Sequence, residues 1–468
     1  MDRRTFLASV PGTSLAARCA HPAPGPEIVF DSRSPGDPIR ALHGVNGGPL
    51  AAGGLLDLSD RWKDAAFPLA RLHDSHWPNP DVVDVHAVFP DPGADPSKPE
   101  SYDFERTDEY VKAVHDCGAG IVYRLGESIE HQKAKRHARP PKDFEKWAAV
   151  CAGIVRHYTR GWAKGFKLPI KYWEIWNEPD NRPNCWTGSD ADYLRLYVTT
   201  AVALRKEFPA IKIGGPGLGN SGNLKGERFD ATAFLKALLA RCKKDEAPLD
   251  FLSWHCYTAD PSELVRRAKG VRALLDGAGF RATESHLNEW NFLPDGDWSG
   301  LTAKDATVRE KWYARVNSAE GAAFTAAALI ALQDAPVDAA NYFTAEAPGM
   351  GLFSPHGVPS RAFGAFLAFK ELPGLKRLPG KPPPGVSALA GVGEQVRVLV
   401  ARPTGAGGAV KLVVAPAPWK GATQYEVWAL TPKQDFAHVG GGQNDGCEVT
   451  VDLPAQTVYL VKMWRSNG

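Results

Sequence analysis

Asn177-Glu178-Pro179 ends the apolar run KYWEIWNEPD (171–180), and Asn288-Glu289 ends a second one, SHLNEW (285–290). A carboxylate at the end of a buried β segment needs a reason, because an unpaired charge is costly to remove from water. Two carboxylates that meet across a small cavity have one. A protonated carboxyl donates to the leaving oxygen of a glycosidic bond, while an ionised one attacks or activates water. Aromatic crowding around one member raises its pKa and splits the pair into those two roles. Residues 171–180 hold another carboxylate, Glu174. Strict strand alternation puts Glu174, Trp176 and Glu178 on one face, with Glu174 deep and in need of a partner; Arg124 is the candidate.

The elements that would position these residues alternate between short apolar strands and amphipathic helices. Strands are expected at 41–46, 68–73, 119–125, 171–177, 211–215, 250–257, 285–290 and 339–343. Between them, Tyr193, Leu196, Tyr197, Thr200, Ala201 and Leu204 recur at one-face helical spacing, with Asp190 as N-cap. Two further helical segments, beginning at 103 and 261, end on Gly. Eight strand–helix repeats imply an α/β fold, a closed (β/α)8 TIM barrel. An open doubly wound sheet would want a phosphate loop after its first strand, and HGVNGGPLAAGG does not fit G-x-G-x-x-G.

In such a barrel the reactive side chains stand at the C-terminal strand ends. Reading those ends collects Asn46, His73 with Asp74, Arg124 followed by Glu127, Asn177-Glu178, His255 with Tyr257, and Asn288-Glu289. Glu284 competes with Glu289 but falls at the start of its strand. Glu127 reads as a loop ion-pair partner, and KIGGPGLGN as a tight turn on the fifth strand.

Beyond PGLKRLPGKPPPG the pattern changes to alternating strands separated by Gly, Pro and Asn turns, expected to form an antiparallel β-sandwich. The expected organisation is an export signal and linker (1–26), a strand segment joining the sandwich (27–40), a catalytic barrel (41–374) and the β-sandwich domain (375–468).

Lys+Arg 55 against Asp+Glu 53 gives no basic excess for nucleic acid. No apolar run reaches the 18 or so residues of a membrane span. The seven Cys are irregularly spaced and read as mostly free, buried thiols. No HExxH or similar spacing occurs, so neither metal nor cofactor is expected. The leader MDRRTFLASVPGTSLAARCA resembles a twin-arginine export signal, which implies a periplasmic or secreted bacterial protein that crosses the membrane already folded.

EIWNEPD resembles the Asn-Glu-Pro motif on strand 4 of clan A glycoside hydrolases, and HLNEWN their strand 7 glutamate. RLHDSHW, SWHCY, YFTAEAP and GLFSPHGVPSRAFGAFLAF make the layout most similar to glycoside hydrolase family 39, over roughly residues 27 to 465. The resemblance implies a retaining glycosidase that acts on oligo- or polysaccharide, with exo-acting β-xylosidase as the default. An endo-acting exopolysaccharide hydrolase and an inactive carbohydrate-binding protein on the same scaffold are the alternatives. It implies Glu178 as acid/base, Glu289 as nucleophile, Asn177 on the sugar 2-hydroxyl, His255 and Tyr257 positioning the nucleophile, and His73 lining the non-reducing sugar's subsite. Strand 8 of the family often carries Tyr-Trp-Thr where this chain has Tyr342-Phe343-Thr344. The sugar-stacking ring would then come from Phe343 or from Trp77, Trp290 or Trp298.

Overall fold

The computed structural model describes residues 25–51, 55–75, 82–347 and 349–466. The leader, Cys19 and Trp77 lie outside the described residues.

Eight parallel strands close into a barrel in chain order: Gly44–Asn46, Leu69–Leu72, Gly120–Leu125, Tyr172–Ile175, Lys212–Leu218, Phe251–Thr258, Glu284–Phe292 and Ala339–Tyr342. Closure is made by the eighth strand on the first, with Asn341 opposite Gly44 and Tyr342 opposite Val45. All eight expected strands are present. The fifth runs three residues further than the apolar run suggests, through Gly214–Leu218, because its glycines pair as strand residues. Two short hairpins, Leu50–Ala51 with Leu56–Asp57 and Gly222–Lys225 with Arg228–Ala231, decorate loops at the C-terminal face.

The helices follow from capping as much as from periodicity. The cap of helix Asp190–Glu207 is Ser189, one residue before the expected Asp190. Ser189 accepts from Asp192 N while the Asp192 carboxylate accepts from Ser189 N, a reciprocal pair that Asp190 cannot make. Helix Pro261–Ala278 begins with Pro after the Asp260 cap and ends on Gly279 at φ 92°.

The sandwich consists of a six-stranded sheet and a three-stranded one. The larger includes Lys376–Leu378, Ser387–Val392 and Gln434–Asn444, which the alternation pattern does not reveal. Lys376–Leu378 falls inside the stretch expected to be a Pro/Gly boundary. Gln434–Asn444 is a largely exposed, glycine-containing edge strand with no buried alternation to read. In the smaller sheet Glu27–Asp31 pairs in parallel with Ala409–Ala415, so the early strand does join the sandwich. One face of the six-stranded sheet packs Leu399, Ala401, Leu430, Val458 and Leu460 into the same apolar cluster as the barrel helices. Its other face shares a second core with Ile28, Phe30, Leu412 and Val449.

The six described cysteines are free; all are buried except the half-buried Cys117. Among the described residues no helix is long and apolar enough to cross a membrane.

Candidate active site

The fourth barrel strand ends at Ile175, and strict alternation ends with it. Trp176 has φ 74° and Glu178 φ 45°, both in the left-handed region that non-glycine residues rarely occupy. The first turn sends Trp176 outward onto Trp186 and Trp147, with its indole N–H on Cys185 O at 2.8 Å. Trp176 therefore does not face the barrel, as alternation alone would place it. The second turn delivers Glu178 to the mouth, with its backbone N–H held by Gly217 O at 2.9 Å. Such strain persists only where the surroundings over-determine it, as they do at functional sites.

Glu174 does point into the barrel, but its partner is not Arg124. Arg71, on the second strand and fully buried, donates from Nε to Glu174 at 2.6 Å. Its Nη1 donates to Glu289 at 2.8 Å and to Asn46 at 3.1 Å, and its Nη2 to Asn177 Oδ1 at 2.6 Å. Arg124 points away, to Asp84 and Ser128. The register pairs Arg124 directly with Glu174 on adjacent strands, yet the guanidinium is spent on Asp84 and Ser128 and the two side chains do not join. The remaining oxygen of Glu174 accepts from Ser253 and Asn288, each at 2.5 Å. One permanent cation thus orients three strand ends. Arg71 is the residue that reading strand ends missed, since it lies two residues before the loop.

Glu178 and Glu289 meet across the mouth. Their carboxylates and the His255 imidazole have one atom each within 4.8 Å of one another. His255 Nδ1 lies 2.8 Å from Glu178 Oε1 and 3.4 Å from Glu289 Oε2. Asn181 donates to Glu178 Oε2 at 2.7 Å, and the Cys185 thiol approaches the same oxygen at 3.7 Å. Tyr257 donates to Glu289 Oε2 at 2.7 Å, and His73 Nε2 stands 3.7 Å from Glu289 Oε1. Glycines clear the space: a Cβ on Gly217 would meet Arg71, Asn177 and His255 within 3.2 Å, and one on Gly219 would meet Glu178 Oε1 at 2.9 Å. KIGGPGLGN is therefore a packing surface for the site as well as a turn.

The three facing groups titrate as a unit. Burial raises the Glu178 carboxyl, but the His255 hydrogen bond and charge, with Asn181 and Arg71, outweigh it and hold it below the usual range. Burial raises Glu289 and keeps it raised, although His255 and Arg71 pull the other way. Burial lowers the imidazole, and the two carboxylates more than reverse this, so His255 titrates above its ordinary value. In the free protein the proton of the Glu178–His255 pair therefore rests on Nδ1. The pair is thus split as expected, with burial raising Glu289 as the higher-titrating member.

The other expected site residues divide by burial. Asn177 is buried, its Oδ1 held by Arg71. Asn46 is fully buried, its amide spent on Arg71 and on Asn288 O at 2.8 Å, so it acts through Arg71. Trp290 is fully buried against Tyr342, out of reach of a ligand. Phe343 is partly exposed beside Tyr257, with ring centroids 6.4 Å apart. Trp298, 40% exposed, meets the other side of Tyr257 edge-on at 5.0 Å. Glu284 sits at the opposite end of its strand, paired with Lys212 and His286 and held at about 2.

A second cluster, His86, Glu127 and His137, also brings donor atoms within 4.8 Å. Its two imidazole rings stack at 3.6 Å with 17° between planes. Glu127 is the ion-pair partner of His86 at 2.5 Å.

A parallel eight-stranded barrel with facing carboxylates on its fourth and seventh strands is the architecture of the glycoside-hydrolase barrels. The family model for glycosyl hydrolases family 39 matches residues 97–268. The chain is 26% identical over 273 residues to a β-xylosidase of Geobacillus stearothermophilus, covering 51% of this chain and 48% of that protein. It thus spans about half the length of the curated relatives it matches. Among solved structures, a glucosidase from Croceicoccus marinus superposes with TM-score 0.78 at 27% identity, over 94% of this chain and 99% of that one. A monomeric β-xylosidase from Caulobacter crescentus CB15 shares the fold with TM-score 0.71 at 18% identity, over 95% of this chain and 100% of that one. The family model, the curated relatives and the solved structures together support glycoside hydrolase family 39 as the family this chain is similar to.

Proposed function

We propose that the protein is a retaining glycoside hydrolase, exo-acting on β-xylosides or related glycosides. The observation that carries this is the approach of Glu178 and Glu289 to within 4.8 Å. Retaining enzymes hold their carboxyl groups about 5–5.5 Å apart, and inverting ones leave roughly 6.5–9.5 Å for a water.

Glu289 is the nucleophile. It accepts from a permanent cation, Arg71, and from the Tyr257 phenol, which hold it in line as an anion. Taken alone, the titration directions in the free protein would make Glu289 the acid. The strand 4 Asn-Glu-Pro context and the Arg71 pair support the opposite assignment. Glu178 protonates the leaving oxygen with the proton that His255 holds 2.8 Å away, then takes a proton from the water that releases the sugar. Asn177 donates to the 2-hydroxyl, and Phe343 and Trp298 offer the sugar an aromatic edge.

A β-glucoside is the second reading. It is favoured by the likeness to the Croceicoccus marinus glucosidase along nearly the whole of both chains, where the β-xylosidase match covers half. Aryl xyloside, glucoside, arabinosides, galactoside and glucuronide tested side by side decide between them. Turnover on none of these would overturn the assignment. Export through the twin-arginine route belongs to the same proposal and rests on Arg3-Arg4 and the free thiols; a reporter fused to residues 1–26 tests it.

A further inference from the structure

We propose that Asn181 and Cys185 are positioning residues that clamp one oxygen of Glu178, Oε2, so that its other oxygen, Oε1, is the one that delivers the catalytic proton. This rests on the glycosidase reading above.

The segment after the fourth strand doubles back on itself. Asn181 N donates to Glu178 O at 2.9 Å, and Cys185 N to Asn181 O at 2.9 Å. Asp180 accepts from Gly219 and Asn220 backbone N–H groups at 3.1 and 2.7 Å, which ties the turn to the end of the fifth strand. The turn therefore carries two side chains back to the carboxyl that precedes it. The Asn181 amide can only donate through its NH2, and it does so to Oε2 at 2.7 Å. Cys185 is 2% exposed, with Sγ 3.7 Å from Oε2. Burial, then the neighbouring charge of Glu178, keeps the thiol protonated, so it too is a donor.

Two donors facing Oε2 leave no place for a proton there. Oε1 differs in that its partner is the imidazole of His255, a group that can hand its proton over, where an amide cannot and a buried thiol keeps its own. It faces His255 Nδ1, the atom that also reaches Glu289, so Oε1 lies on the side where a glycosidic oxygen would sit between the two carboxylates. A carboxyl free to exchange its oxygens would spend part of its time with the proton turned away from the substrate. The clamp removes that loss. The charged and titratable groups around Glu178 are His255, Glu289, Arg71, Asp180 and Cys185.

The test uses the full chain and two readouts. The first compares aryl glycosides of one sugar with good and poor leaving groups, since only the poor ones need the acid. Asn181→Ala is expected to lower kcat/KM for a poor leaving group by about 10-fold or more, a share of the 10²–10⁴ that general acid catalysis supplies, and to leave a dinitrophenyl glycoside nearly unchanged. Cys185→Ala is expected to act in the same direction more weakly, and Cys185→Ser to restore the wild-type ratio. The second readout needs no turnover: the Glu178 carboxyl is followed by 13C NMR, assigned with Glu178→Gln. Its titration is expected to move to higher pH in Asn181→Ala, because a donor to the anion has been removed. Equal losses on both leaving groups, or an unmoved carboxyl titration, would overturn the proposal. A wild-type protein that hydrolyses no glycoside but shows the shift would overturn the glycosidase reading and leave the clamp standing.

Discussion

Arg71 Nε lies 2.6 Å from Glu174 Oε2, both side chains fully buried in the barrel, and the same guanidinium holds Glu289 and Asn177. The deep carboxylate on the fourth strand is therefore the counter-charge of an arginine that also reaches Glu289 and Asn177. Removing one partner of such a pair strands the other charge. Arg71→Met is expected to destabilise the fold by about 3–5 kcal/mol, read as a lower urea midpoint at unchanged slope. Its residual folded fraction should be inactive.

Glu178→Gln and Glu289→Gln keep the shape of each side chain and remove its charge. Each should lower turnover by several orders of magnitude without changing the thermal midpoint greatly. Full activity in either variant contradicts the assignment.

The short separation of the two carboxyls predicts the stereochemistry. The first sugar released, observed by NMR before mutarotation, should keep the anomeric configuration of the substrate. An inverted first product rules out the two-step route.

Trp298 and Phe343 both lie against Tyr257, the donor to Glu289. Trp298→Ala should raise KM several-fold with little change in kcat, the mark of lost uniform binding. Trp290→Phe should leave KM alone, since that ring is buried.

His43 is buried, its Nε2 against Ala66 O at 3.1 Å and its ring against Phe369. Burial lowers its pKa from 6.5 to about 4. The unfolded chain thus takes up a proton near pH 6.5 that the folded one refuses until about pH 4. The stability that neutral His43 contributes is complete above pH 6.5 and is lost as the pH falls toward 4. Over that window the loss is roughly 3 kcal/mol. Chemical denaturation at pH 7 and pH 4.5 should show a smaller pH dependence in His43→Gln than in the wild type.

Much of the architecture was legible because its signals are local. Eight apolar runs, helical periodicity between them and polar residues at strand ends identify a barrel and one of its faces. The meeting of Glu178 and Glu289 was legible for the same reason, as each closes an apolar run. Strands without burial alternation were not, and Gln434–Asn444 is the example.

What sequence determined by itself is the barrel's eight strands and which end of each gathers polar residues, since period and residue type act within a few residues. Only the tertiary structure decided which charges meet. Glu174 took Arg71, two strands away, in place of Arg124 on the neighbouring strand. Trp176 turned outward, and Glu178 reached the mouth through two left-handed residues and not by alternation. Those choices depend on side-chain direction inside a closed barrel, where a strand's end meets residues from strands across the mouth. No spacing along the chain encodes that.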